Sequence, residues 1–379
     1  MADHITHDPI YNTVDRDDFL ALLDNERYNE RTEAFDEIIA KTHDHFWDPT
    51  DPRYIDFHAS PFGLDEQMLM PAEFAPELSC AVADKLDEGQ RIALGNEVTR
   101  WSLSNILHGE QGALSLSASL CHILRDPGAQ EYAANQVREE ARHVTAFARY
   151  IACRWGVALP AGRTLSTLLN EMVLAPEVYK KLIGMQMLVE GLAMGAFATI
   201  HSRTSDPLLR KLVQLVMTDE AFHHKFGKIW ADRTIPKLTE AEHERVESWA
   251  AHCFEHLLFN LVNPEQKQSI YAAFGLDWQW VHGAVMEAFT DDRRRQMMTE
   301  STNIFRVLIK TLVKAGIVTE RTRPVYANWV DMEELAGEDD RMVGEPIAEE
   351  GIAYLRDINQ TRKPIGRALR TNGKARASL

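Results

Sequence analysis

Two short segments carry residues that can bind a metal ion: EEARH at positions 139–143 and DEAFHH at positions 219–224. On an α-helix, side chains three residues apart share a face. Glu140 with His143, and Glu220 with His223, can therefore each clasp one ion through a carboxylate oxygen and an imidazole nitrogen. The pattern alone is common in helical chains, and this sequence holds its own control. Glu240 and His243 have the same spacing but follow Thr239, a good helix-capping residue, and read as a solvated helix start.

Symmetry separates the first two copies from the third. Position 125 lies midway between 110 and 140, and position 205 midway between 190 and 220. Each midpoint falls at an Asp-Pro turn, Asp126-Pro127 or Asp206-Pro207. Asp can cap free helical N–H groups and Pro tolerates the first helical position, so each turn starts a returning helix. Residues equally far from a turn stand level, which sets Glu110 beside Glu140 and Glu190 beside Glu220, each about 20 Å from its turn. The whole set, including His143 and His223, recurs at an offset of 80 residues. Two helical hairpins related by a pseudo-twofold axis would gather four carboxylates and two imidazoles.

The surroundings of these residues are apolar, as in MQMLVEGLAMGAF around Glu190. An ionised Glu buried without a partner costs several kcal/mol, so a buried group of four needs cations. Oxygen donors with one imidazole per ion suit two iron ions, and a mixed manganese and iron pair fits the same donors; zinc sites usually carry more His or Cys. Metal-bound imidazoles usually donate their other N–H to a carboxylate. Asp219 is expected to hold His143, and Glu139 to hold His223, with Arg142 and His224 joining this layer. Ala113, Leu114, Ser117, Ala193, Met194 and Phe197 are expected to line a substrate cavity beside the ions.

The elements that must position these groups are helical. Periodicity of 3.6 dominates from about Pro76, alternating strand-like runs are scarce, and the expected fold is an all-α four-helix bundle with additional packed helices. The bundle helices read as 88–124, 130–155, 176–202 and 208–233, with Pro236 as a stop, followed by outer helices over 239–261, 264–274 and 278–315. This divides the chain into an N-terminal extension (1–86), the bundle (87–234), added helices (235–320) and a loop-rich region with a basic tail (321–379). The extension holds an amphipathic stretch over 17–46, then a Pro- and Asp-rich connection that reads as an irregular wrap or lid.

Composition narrows the function classes. With 57 acidic against 41 basic residues the net charge is −16, which repels a nucleic-acid backbone. The four cysteines form no CxxC pair and read as reduced, mostly buried thiols. The N-terminus lacks the basic start and apolar run of a signal peptide, and no segment reads as a membrane span, so a soluble cytoplasmic protein is expected.

The order Glu, ExxH, Glu, ExxH on four helices resembles the ferritin-like di-iron carboxylate proteins, over residues 110–223. EEARH and DEAFHH are similar to the paired motifs of soluble acyl-carrier-protein desaturases and bacterial multicomponent monooxygenases. VEGLAMGAF followed by DEAFHHKFGKIW is similar to part of the aldehyde-deformylating oxygenases. The departures carry information. Ala193 and Met194 stand where many of these enzymes have a Thr, Phe147 where a ribonucleotide reductase small subunit has its radical Tyr, and Val216 where arylamine N-oxygenases have an extra His.

The resemblance implies an O₂-activating oxygenase or oxidase acting on a hydrophobic, fatty-acyl or lipid-like substrate. Its electrons would come from a separate ferredoxin or reductase, because no flavin, nicotinamide or iron–sulfur motif is visible. Two other readings stand beside it: a ferroxidase or iron-handling protein, and a di-metal ligand-binding oxidase without multiple turnover. The outer helices offer a face for a homodimer.

Overall fold

The computed structural model describes residues 11–43, 45–262, 264–290, 304–338 and 344–361. The start of the chain and the basic tail from position 362 lie outside the described residues. The fold is all-α, and the extended pairing among the described residues is a bridge between Thr13 and Leu124.

Four long helices form the centre, and local chemistry sets their ends. Helix α2, Glu88–Ile123, follows α1 (Asp36–Thr42) and starts at a capping box in which the Asp87 carboxylate accepts from Gln90 N–H while the Gln90 side chain accepts from Asp87 N–H. Helix α3, Pro127–Trp155, starts at Asp126, whose carboxylate accepts from Gly128 N–H, and ends at Gly156, whose φ of 84° closes the helix in a conformation suited to glycine. After α4, Arg163–Leu174, comes α5, Val178–Arg203. Helix α6, Pro207–Thr234, repeats the Asp-Pro start, with Asp206 accepting from Leu208 N–H. Asp206 also accepts from Tyr150 Oη at 2.7 Å and Arg154 Nε at 2.8 Å, which ties the second turn to the far end of α3.

Helix α5 departs from a plain helix, because Leu182–Val189 is π-helical and the α-form resumes at Glu190. Close approach holds it there. A Cβ on Gly227 of α6 would lie 2.8 Å from Gln186 Cβ, and one on Gly184 would meet the Met172 side chain of α4. This helix is long and apolar enough to cross a membrane by composition, contrary to the sequence expectation of no such segment, but 72% of its apolar window is buried inside the protein. Being covered on all sides explains why it is apolar all round.

Helix α2 packs along α3, α5 along α6, and α3 against α6. Two hydrophobic clusters fill the centre. One holds Leu116, Leu120, Tyr132, Ile183 and Phe226, near the turn at Asp126; the other holds Phe147, Tyr150, Phe197, Leu209 and Val213. The Glu and His residues of the two motifs fall between them.

The outer elements differ from expectation in three places. Residues 17–46 form three 3₁₀ turns and the short α1, because Asp18 and Thr32 each start a turn, Asp24 ends one, and the segment clings to the Asp126 turn through side chains. Buried Arg27, for example, donates to Arg125 O at 2.6 Å. The stretch over 278–315 gives Trp278–Ala288 and Ile304–Lys314 with residues outside the described set between them. The described part of the C-terminal region is largely helical where a loop-rich region is expected, with Glu345–Thr361 packed along α6. Helix α7, Glu240–Val262, lies against the π segment. Of the cysteines, all free, Cys253 alone is buried and Cys153 is exposed.

Candidate metal centre

The spacing of the two hairpins brings Glu110 from α2, Glu140 and His143 from α3, Glu190 from α5, and Glu220 and His223 from α6 into one buried cluster. Their donor atoms form two groups of four. One is Glu110, Glu140, His143 and Glu220; the other is Glu140, Glu190, Glu220 and His223, with the atoms of each group within 4.8 Å of one another. Glu140 and Glu220 belong to both. Glu140 places Oε2 3.3 Å from His143 Nδ1 and Oε1 3.0 Å from His223 Nδ1. Glu220 places Oε1 3.1 Å from His143 Nδ1 and Oε2 3.0 Å from His223 Nδ1. Each of these two carboxylates thus offers one oxygen to each imidazole, while Glu110 lies 3.3 Å from His143 alone.

Both rings turn Nδ1 to the cluster and Nε2 outward to a carboxylate. His143 Nε2 is 2.8 Å from Asp219 Oδ2, and His223 Nε2 is 3.0 Å from Glu139 Oε2. Arg142 donates to both oxygens of Asp219, so this layer carries its own positive charge. That charge accounts for a third close group, His45, Glu139 and Asp219, without an ion. Asp219 is held well below the usual carboxylate range: burial alone would raise it, and the Arg142 guanidinium and the hydrogen bonds from His143 and His45 outweigh that.

Within the cluster, burial pushes Glu110 and Glu190 well above the ordinary carboxyl value, reinforced by neighbouring carboxylates. Burial opposes charge on His143 and His223, but the surrounding carboxylates prevail and hold both well above the ordinary imidazole value. A further observation speaks directly to cation binding: Glu140 Oε2 and Glu220 Oε1 are buried and have no hydrogen-bond partner. Leaving a buried acceptor unsatisfied costs on the order of 1–3 kcal/mol, and more when it is charged. A cation between the carboxylates removes that cost, so the residues present fit a metal centre.

Two sequence expectations fail. His224 does not join the outer layer; its Nε2 lies 3.2 Å from Thr311 Oγ1, facing away from the cluster, and burial lowers its pKa to about 4. The six expected cavity residues do not gather either. Ala113 packs in the cluster near the Asp126 turn, whereas Met194 and Phe197, with Ala193 against them, pack in the opposite one. Leu114 is half-buried, and the Ser117 hydroxyl is buried without a partner. A cavity of about 200 Å³ does exist, but it lies at the Asp126 turn and is lined by other residues, among them Phe35, Phe226 and Trp230.

Comparison with protein-family models, with curated proteins and with solved structures finds no match.

The structure adds four side chains that sequence spacing did not single out. Trp47 Nε1 donates to Asp219 Oδ2 at 2.9 Å, and its ring stacks on His143 with centroids 6.0 Å apart. His45 Nε2 lies 3.2 Å from Asp219 Oδ1. Both sit in the irregular connection after α1, where the only signal was a His-Phe-Trp run ahead of the Pro- and Asp-rich stretch. Gln136 Nε2 reaches Glu140 Oε1 at 3.0 Å, Glu190 Oε1 at 3.2 Å and Gln186 Oε1 at 3.1 Å. Each Gln stands one helical turn before a cluster Glu, a spacing that could have marked it.

Proposed function

We propose that this protein is a non-haem di-iron oxidoreductase that uses O₂ on a hydrophobic substrate, built on a ferritin-like four-helix bundle. The observation that carries the reading is the sharing of Glu140 and Glu220 between two four-residue donor groups, each completed by one imidazole and one further carboxylate. Such sharing would suit two cations side by side, and carboxylates with one nitrogen each favour iron or manganese. A ferrous pair held there by these six side chains would supply the electrons for O₂ chemistry.

The chain's own residues do the rest. Glu110, Glu140, Glu190 and Glu220 balance the charge of two divalent cations. His143 and His223 are oriented by Asp219 and Glu139, and Arg142 fixes Asp219 through both oxygens. The apolar clusters above and below keep the centre away from water, and the substrate is a hydrophobic molecule such as a fatty-acyl or lipid-like compound. A separate ferredoxin or reductase returns the electrons.

Protein loaded anaerobically with ferrous ions is expected to bind two per chain and to consume O₂ on reduction, faster when substrate is present. Glu220→Ala removes a shared carboxylate and is expected to abolish the consumption. Failure to take up stoichiometric metal would remove the basis of the proposal.

A further inference from the structure

Resting on the di-metal reading, we infer that the two ion positions are unequal. The position at His143 is the tight one that fills first, and the strap carrying His45 and Trp47 makes it so. Three observations point the same way, the first and third of them through Gln136. The first is where the unsatisfied oxygens lie. Glu140 Oε2 and Glu220 Oε1, the cluster's carboxylate oxygens without a hydrogen-bond partner, are the two that face His143 Nδ1. Their counterparts at His223 are already engaged: Glu140 Oε1 accepts from Gln136, and Glu220 Oε2 is hydrogen-bonded to His223. An ion at His223 must displace or share the Gln136 bond as well as the one to its imidazole, whereas an ion at His143 displaces only the longer bond of 3.3 Å between Glu110 and His143.

The second is how firmly each imidazole is held. Asp219, behind His143, is gripped by Arg142 through both oxygens and by Trp47 Nε1 at 2.9 Å, His45 Nε2 lies 3.2 Å from it, and Trp47 stacks on the ring itself. Glu139, behind His223, has one more rotatable bond. Besides His223 it has a single further ion-pair contact, with Arg142 at 3.6 Å. A ligand locked before the ion arrives loses less freedom on binding, and partners of this kind typically alter metal affinity by roughly 10- to 100-fold. The third is the remaining carboxylate of each position. Glu190 Oε1 accepts a hydrogen bond from Gln136, while Glu110 meets only His143.

His45 and Trp47 touch no cluster oxygen other than those of Asp219, so they are positioning residues acting through Asp219 on His143. The strap that carries them is anchored independently. Tyr54 Oη donates to Asn359 at 2.7 Å, and Asn359 donates to Phe46 O at 2.9 Å.

The test is a metal titration of the full chain, needing no substrate and no turnover. Anaerobic titration with Co²⁺ is expected to resolve two binding steps at least about tenfold apart, and crystals grown with one equivalent of Mn²⁺ to show anomalous density at Glu110 and His143. Trp47→Phe and His45→Ala are expected to weaken the first step roughly tenfold and leave the second within about twofold; Glu139→Gln should do the reverse. Density divided equally between the positions, or concentrated at His223, would overturn the inference, as would variants that weaken both steps alike. The crystal measurement uses the unaltered protein, so it decides even if a variant does not fold. Absence of any bound ion at two equivalents is a different result and counts against the di-metal reading itself.

Discussion

The hairpin of α2 and α3 and the hairpin of α5 and α6 supply the same set of Glu and His side chains on different backbones. Helix α2 runs as an unbroken α-helix past Glu110, while α5 is π-helical up to the residue before Glu190. A π turn holds an additional residue, which shifts the phase of everything after it. The shift does not spoil the centre because the neighbours are cut to fit: Gly227 lets α6 approach Gln186, and Trp249 of α7 donates to Lys180 O at 3.2 Å just before the π segment. The comparison teaches that a repeated ligand pattern specifies which side chains meet, and that the second hairpin depends on outside support to bring them there.

The largest expected effect tests the shared carboxylates. Removing Glu140 or Glu220 by Ala substitution is expected to eliminate both ions, since each belongs to both donor groups, whereas Glu110→Ala or Glu190→Ala should leave one ion per chain. Metal content after equilibrium dialysis reads this directly. One retained ion in Glu140→Ala would break the equivalence of the two hairpins about a shared pair.

A second prediction concerns the support of α5 from outside. Glu247 on α7 accepts from Thr319 N–H at 2.8 Å and from the Thr319 and Thr322 hydroxyls, and pairs with Arg321. Burial raises its pKa, but these bonds prevail and bring it to about 2 from 4.5. A carboxyl depressed in the folded state adds stability above its unfolded pKa and loses it as pH falls. Stability should therefore drop between pH 4.5 and about 2 by at most about 3 kcal/mol. In Glu247→Gln most of that drop should vanish, and hydrogen exchange should quicken in α5 before α2. Equal quickening in both would mean that α7 does not support the second hairpin selectively.

The smallest effects come from two glycines. Gly227→Ala puts a methyl group 2.8 Å from Gln186 Cβ and 3.1 Å from the Met187 side chain, and is expected to destabilise by about 1–3 kcal/mol. Gly109→Ala meets nothing within 4 Å and is expected to stabilise α2 by up to about 1 kcal/mol. Thermal melts of the two variants should move in opposite directions.

Much of the candidate site was legible because it is local or periodic. Asp126-Pro127 and Asp206-Pro207 mark helix starts by capping chemistry alone, and an ExxH spacing needs only helical geometry to share a face. The π segment was not legible, since LIGMQMLV has the composition of an ordinary buried helix and its form depends on what presses against it. His224 was misread for a related reason: it follows His223 immediately, and the rotation of about 100° per residue turned it toward Thr311 rather than to the layer of Asp219. The cavity residues failed because one face of a helix touches different clusters at different heights.

By itself the sequence determined the helices, the two turns and the six candidate ligating side chains at matched heights, because each follows from hydrogen bonding and periodicity within a few tens of residues. Only the tertiary structure decided that Trp47 and His45 close on Asp219, that Gln136 engages the carboxylates on the His223 side, and that the free oxygens face His143. Gln136 lies one helical turn from Glu140, but the contacts of Trp47 and His45 join residues far apart in the chain, 172 positions in the case of Trp47 and Asp219. No local rule encodes them; they exist because packing two hairpins and a strap around one buried charge cluster leaves each polar group few places to go.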